Sequence, residues 1–290
     1  MSLRLEMLQV ARLAPSVLGT DAGNLVQKFV LSKRDETGGF KDRDDHPDLY
    51  YTSFAIDALT ALQADLPEAT LTYLSNQTAT THDFVHTCCL ARTLSAYPNH
   101  NVDPSAILDS IENWRTADGG YNQSPTADTG SAYACFLAYG AYADHKQIPP
   151  NPDGIRACLA SLQTPAGAWT NDTDIPVPNV PATAAAVSLS RNLQVPIPDS
   201  TGPWLLQCAH PQGGFIPFPG APMPDLLTTA VALHALDGLQ TDFKPLAERC
   251  LDYIDTLWSA EGGFHGNWED DTLDLEYTYY GLLALGHLAL

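Results

Sequence analysis

Two kinds of apolar run alternate along this chain. Segments such as Ser53 to Leu62, Ala230 to Leu236 and Tyr279 to Leu288 are rich in Ala and Leu and nearly free of charge. They are apolar on most faces, which predicts helices buried all round. Between them lie Asn24 to Lys33, Pro104 to Arg115, Pro152 to Gln163 and Pro245 to Trp258, each with a polar face. These predict amphipathic helices, and proline near the start of several suits a first helical turn.

Tight corners separate the second kind of run from the first. They read Gly38-Gly39-Phe40, Gly119-Gly120-Tyr121, Gly167-Ala168-Trp169, Gly213-Gly214-Phe215 and Gly262-Gly263-Phe264. Each buried run also follows a short segment ending in a hydroxyl residue. These segments run from Asp48 to Thr52, Asp83 to Thr87, Ala127 to Ser131, Asn179 to Thr183, Asp225 to Thr229 and Asp274 to Thr278. From one hydroxyl to the next the gaps are 35, 44, 52, 46 and 49 residues. Four segments open with Asp and one with Asn, residues whose side chains cap the free N–H groups of a first turn. The unit around residues 75–81 lacks a Gly-Gly corner.

The inner helices are therefore expected to start near residues 48, 83, 128, 180, 225 and 274. Units of this size bury a core only by stacking on their neighbours. Six buried helices alternating with six amphipathic ones predict an all-α fold: an α/α toroid of six helical hairpins, with inner and outer layers, in a single domain over residues 1–290. A linear stack would expose one side of the inner helices, and their near absence of charge favours closure. In a closed ring the starts of the inner helices converge on one mouth, so the capping segments and corners line one central cavity.

Composition narrows the partners. The chain has 34 acidic residues against 14 basic ones, a formal charge of −20. That argues against nucleic acid and against an anionic membrane surface. No stretch approaches ~18 uninterrupted apolar residues, so no membrane span is expected. The first 18 residues carry Arg4, Glu6 and Arg12 and read as an amphipathic helix rather than a signal-peptide core. Six cysteines lie in apolar helical runs, which suits buried, reduced thiols in a cytoplasmic protein.

The Gly-Gly-aromatic corner ahead of a helix opening Asp-x-x-x-Thr resembles the repeats of the prenyltransferase and squalene cyclase superfamily. The stretch Asp83-Phe84-Val85-His86-Thr87-Cys88 is particularly similar to a repeat of the protein prenyltransferase β-subunits. The resemblance covers nearly the whole chain and implies a small hydrophobic, isoprenoid ligand in the central cavity. Protein prenyltransferases hold a catalytic zinc with Asp, Cys and His. In this chain the matching positions are Asp225, Leu227 and Tyr277; Leu has no ligating atom and Tyr replaces His poorly. One junction further round the ring, Asp48, Tyr50 and His86, with His46 and His82 nearby, mark where a divalent metal could enter. No other cofactor is expected. Only Lys41 and Arg43 are placed in a mouth loop to meet a diphosphate, which needs several cations around its leaving group.

Class II terpene cyclases, by the same resemblance, need no metal and protonate an alkene or epoxide from an Asp-x-Asp-Asp motif. Asp42-Arg43-Asp44-Asp45 matches in letters but lies too far ahead of Thr52, and is expected in a solvated loop. Asp274-Leu275-Glu276-Tyr277-Thr278 is in frame, with Glu276 where the proton-donating Asp would be and Tyr277 in place of the last Asp. A carboxylic acid can protonate so weak a base only if a dry site keeps it neutral until used. The expected catalytic set is Asp274, Glu276, Asp225 and Tyr277. Asp48, Tyr50, Tyr51, His86, Tyr133 and Tyr280 are expected to face the substrate, the aromatics through their π faces. The corner aromatics are expected to plug the spaces between units.

The leading reading is an isoprenoid-binding protein, a metal-independent, acid-initiated cyclase. Three others stand beside it: a binding or scaffold toroid without chemistry, a zinc-dependent prenyltransferase, and a carbohydrate-active toroid. The last needs two carboxylates ~5–10 Å apart across the cavity.

Overall fold

The computed structural model describes residues 2–98 and 101–290. Its first helices are α1 (Leu3–Ala11), α2 (Ala14–Ser32, broken at Gly19), α3 (Leu49–Ala61), α4 (Glu68–Gln77) and α5 (Phe84–Leu94). There follow α6 (Ser105–Ile111), α7 (Ala132–Asp144), α8 (Pro152–Leu162) and α9 (Val180–Leu193). The last four are α10 (Thr201–Gln207), α11 (Leu226–Gly238), α12 (Ala247–Thr256) and α13 (Leu275–Leu288). From α2 onward, even-numbered helices form the outer layer and odd-numbered ones the inner layer of an α/α toroid.

A cap and a corner position each inner helix. Asp48, Asp83, Ser131, Asn179, Asp225 and Asp274 each accept a hydrogen bond from the backbone N–H three residues on. One position further, the hydroxyl has a separate task. Thr52, Thr183, Thr229 and Thr278 accept from the backbone N–H of the corner aromatics Phe40, Trp169, Phe215 and Phe264, at 2.9, 3.0, 2.9 and 3.4 Å. A buried N–H without a partner costs about 1–3 kcal/mol, so each hydroxyl ties a corner to its own inner helix. The corner aromatics are 2% exposed or less and fill the gaps between units.

The third unit corrects the sequence reading. Its inner helix starts at Ala132, not near 128. Ser131 is the cap rather than the corner-binding hydroxyl, and Asp128 is exposed in the preceding turn. Cys135 takes the hydroxyl's role, its sulfur 3.4 Å from the Tyr121 backbone N–H. The weak sulfur acceptor concealed the frame. With Cys135 as the marker, the second and third gaps both become 48 residues.

The ring closes through glycine. Gly38 has φ +96°, and a Cβ there would sit 2.2 Å from the Ala69 carbonyl oxygen of α4. Gly262 has φ +97° and would meet the Leu25 carbonyl of α2 at the same distance. The last corner thus packs on the first outer helix just as the first corner packs on the second. Gly262→Ala is expected to cost about 1–3 kcal/mol through left-handed strain and the lost close approach. The measurement is the urea unfolding midpoint, and an unchanged midpoint would contradict this closure.

Helix α1 stands outside the alternation and seals the floor, packing against α3, α7, α9 and α13. Arg4 Nε donates to Asp57 Oδ1 of α3 at 2.5 Å, and Arg92 Nη2 of α5 donates to Asp57 Oδ2 at 3.0 Å. Glu6 pairs with Arg191 at the end of α9. All six cysteines are unpaired and buried. Among the described residues no helix is long and apolar enough to cross a membrane.

Candidate functional site

Side chains two residues before each corner-binding position stand at one level around the ring. They are Tyr50, Val85, Tyr133, Pro181, Leu227 and Glu276. Tyr50, Tyr133, Pro181 and Leu227 line a central cavity of about 340 Å³. One or two turns deeper its wall consists of Phe136, Ala184, Ala185, Val231 and Tyr280, with Met7 of α1 below. A narrow extension of about 50 Å³ reaches the floor beside Arg92 and Asp144. The cavity is therefore aromatic on the α3, α7 and α13 side and mostly aliphatic on the α9 and α11 side, where Ser188 and His234 are the polar exceptions.

Glu276 is the one carboxyl at that level. Tyr50 Oη donates to its Oε1 at 2.7 Å. Burial pushes the Glu276 carboxyl up to about 7; the Tyr50 hydrogen bond and Arg43 pull it down, while Asp274 and Asp225 add to the rise. The result is a carboxyl about half protonated at pH 7, joined through Tyr50 to the wall of the cavity.

The other expected catalytic residues surround it at the mouth. Asp274 is 4% exposed and uses both oxygens, Oδ1 for the Tyr277 N–H and Oδ2 for Arg43 Nε at 2.7 Å. Burial raises its carboxyl despite Arg43. Asp225 also uses both oxygens, for the N–H and hydroxyl of Thr228, and burial raises it too. The Tyr277 ring packs on Gly266 and lies 5.6 Å beneath the Arg43 guanidinium. Arg43 also donates to Asp270 at 2.8 Å. The Asp42-Arg43-Asp44-Asp45 loop thus supplies a cation to the last unit, while its three acids stay at the partly or fully exposed rim.

The expected substrate-facing residues divide. Tyr50, Tyr133 and Tyr280 line the cavity. Tyr51 stands at the mouth near Arg43, pushed up to about 12 chiefly by burial. Asp48 and His86 turn outward, into a cleft with Tyr73 and His82 between the first two units. There His86 bridges two caps, Nε2 to Asp48 and Nδ1 to Asp83, each at 2.7 Å. The bond to Asp48 chiefly raises its imidazole to about 9, so at neutral pH both nitrogens are donors. His82 meets the Gln77 carbonyl instead, and His46 is exposed. Among the described residues no group of three or more His, Cys, Asp and Glu is placed to hold a metal ion. The zinc positions of the protein prenyltransferases do not fit either: Leu227 faces the cavity without a donor, and both oxygens of Asp225 are engaged.

Sequence reasoning missed His234, which lines the cavity from α11. It is the one ionisable side chain between Leu226 and Leu236, a signal that was there to read.

The chain matches the prenyltransferase alpha-alpha toroid domain over residues 16–104, 68–197 and 182–289. No curated protein matches it. Among solved structures it is similar to protein geranylgeranyltransferase-I of Candida albicans in complex with GGPP. The TM-score is 0.65 at 15% identity, over 92% of this chain and 90% of that one. It is also similar to the D109N variant of the type II terpene cyclase MstE from Scytonema in complex with geranylgeranyl dihydroxybenzoate, with TM-score 0.60 at 13% identity over 99% and 98%. A third is ent-copalyl diphosphate synthase from Streptomyces platensis, with TM-score 0.53 at 17% identity over 83% of this chain and 50% of that one.

Proposed function

The chain belongs to the prenyltransferase alpha-alpha toroid family, and from that premise we propose that it is an isoprenoid-binding, metal-independent cyclase in which Glu276 is the general acid. The observation that carries this reading is a single carboxyl hydrogen-bonded by Tyr50, which lines the cavity, and pushed up to about 7 by burial. Such an acid delivers its proton to an alkene carbon, and the alkene's electron pair forms the new C–H bond. The cation left behind is stabilised by the faces of Tyr50, Tyr133, Phe136 and Tyr280. Tyr50 then holds the Glu276 carboxylate. Asp274 and Asp225 act on Glu276 through space, keeping it protonated until substrate arrives, and Tyr277 supports Arg43 over the mouth.

Cavity size supports a short substrate. An apolar cavity of about 150 Å³ accommodates a six-carbon ring. On that scale 340 Å³ takes about 14 carbon atoms, a ten- to fifteen-carbon isoprenoid. The head group should be neutral, because Arg43 is already shared by Asp270 and Asp274. A carbohydrate reading lacks its second carboxylate at the level of Glu276.

Incubation with farnesol, farnesyl acetate, geranylgeraniol and squalene, with and without EDTA, tests the proposal. Chelator-insensitive conversion of the fifteen-carbon compounds is expected, falling as pH rises through about 7 as Glu276 ionises. Tight retention of farnesol without conversion would support the passive binding toroid instead.

A further inference from the structure

Two buried imidazoles lie between the cavity and the outside, and the chemistry above does not use them. His234 Nδ1 is 3.0 Å from His287 Nε2. His234 is 7% exposed and lines the cavity, whereas His287 is 1% exposed and sits behind it on α13. His287 Nδ1 is buried without a hydrogen-bond partner, 3.7 Å from Asp237 Oδ2 at the end of α11. Asp237 is 45% exposed and reaches solvent. The order from inside to outside is cavity, His234, His287, Asp237, water.

We propose that these three residues form a proton exit, with His234 Nε2 as the base that takes a proton from the cyclised cation. The inference rests on the reading of Glu276 as the acid. Electrostatics select the tautomer. The Asp237 carboxylate favours a proton on His287 Nδ1, which leaves His287 Nε2 as an acceptor. His234 then carries its proton on Nδ1, so Nε2 presents a lone pair. Nε2 makes no hydrogen bond among the described residues.

Burial keeps the pair neutral, lowering His234 to about 4 and His287 likewise below its usual range. Glu6 on α1 raises His234 and Arg191 on α9 lowers it, which leaves burial in control. A weak base suffices, because a C–H bond next to a carbocation is a far stronger acid than imidazolium.

The step balances without a co-reactant. A C–H bond beside the cationic carbon breaks, its electron pair becomes a C=C bond, and the proton moves to His234 Nε2. The Nδ1 proton passes to His287, whose own Nδ1 proton leaves towards Asp237 and water. One proton enters from Glu276 and one departs here, so the product is an isomeric alkene rather than an alcohol. His234 lies seven residues deeper on α11 than Leu227, the counterpart of Glu276. At 1.5 Å per residue, acid and base stand about 10 Å apart along the ring axis. With a reacting contact of ~3 Å at each end, this suits one or two fused rings.

Histidine-selective ¹⁵N NMR of the intact chain between pH 6 and 8 is the first test. The expected state of His234 is neutral, protonated on Nδ1 and bare at Nε2. A proton on Nε2, or an imidazolium, would overturn the proposal. The second test compares products from farnesol in wild type and His234→Gln, a variant close in volume. An alkene-to-alcohol ratio falling at least tenfold as water captures the cation is expected, and an unchanged ratio sinks the relay. His287→Asn should shift the same ratio by releasing the His234 tautomer, without touching substrate. If wild type converts none of the probes, the reading of Glu276 falls, and the NMR result still decides whether a bare base faces the cavity.

Discussion

Replacing Glu276 by Gln should make the protein more stable above pH 7 while lowering its turnover by about 10²–10⁴-fold, the usual contribution of a general acid. Stability follows from linkage. The folded carboxyl titrates at about 7 against 4.5 for the unfolded chain. Between those values the native state holds a proton that the unfolded state lacks, so stability falls as pH rises from about 4.5 to 7 and then levels off. At 1.36 kcal/mol per pH unit the loss is about 3 kcal/mol. Gln carries no such proton and still accepts from Tyr50. The two proteins should therefore be equally stable near pH 4 and diverge up to pH 7, with the variant ahead. Urea unfolding at pH 4.5, 6 and 8 reads the difference directly. Parallel curves at all three values would mean that Glu276 is solvated and ionised, and the acid reading would go with it.

Asp57→Ala is expected to cost about 3–5 kcal/mol, because it removes one partner from a buried ion network and leaves two cations behind. Asp57 is 2% exposed and binds both Arg4 and Arg92. The nearby Asp144 cannot substitute. Burial raises its carboxyl, and one of its oxygens is already buried without a partner. Arg4 is also the charge that seats α1 on the floor. The variant should therefore show faster amide exchange over residues 3–11 than over α13, as well as a lower urea midpoint. Loss of stability with α1 still protected would show that the apolar contacts of Leu3, Met7 and Leu8 hold the plug without the ion pair.

Much of the architecture is written in local chemistry. A cap needs only an acceptor side chain before an apolar run, so Asp48, Asp83, Asn179, Asp225 and Asp274 could be read one by one. A glycine corner needs only a positive φ or a close approach, which few other residues tolerate. In the third unit local chemistry hides the frame: Cys135 stands where the other units carry a hydroxyl, so Ser131, an ordinary cap, takes the hydroxyl's place in the alignment. The ten-residue spacing from corner aromatic to cap, shared by the third to sixth units, was the clue that could have corrected it.

The candidate site was legible as a position but not as an environment. The repeat frame placed Glu276 on the inner face of α13, and Tyr50, Tyr133 and Tyr280 on neighbouring helices. It could not show that Asp48 and His86, at equally regular positions, turn to an outer cleft. Residues adjacent on a capped first turn point to different sides, and the ring's curvature decides which side is inside. Nor could it place α1, whose weak amphipathicity does not say what it covers.

The sequence by itself determined the six-fold repeat, the two layers and which residue types stand at each repeat position, Leu227 and Tyr277 included, because each depends on residue types at short, regular spacing. Only the tertiary structure decided that α1 closes the floor, that burial raises the Glu276 carboxyl, and that His234 meets His287. Those contacts join residues far apart in the chain, such as Tyr50 and Glu276, 226 positions from one another. They exist because the ring closes on itself, and burial, which sets the protonation of every group in the cavity, is a property of that closure.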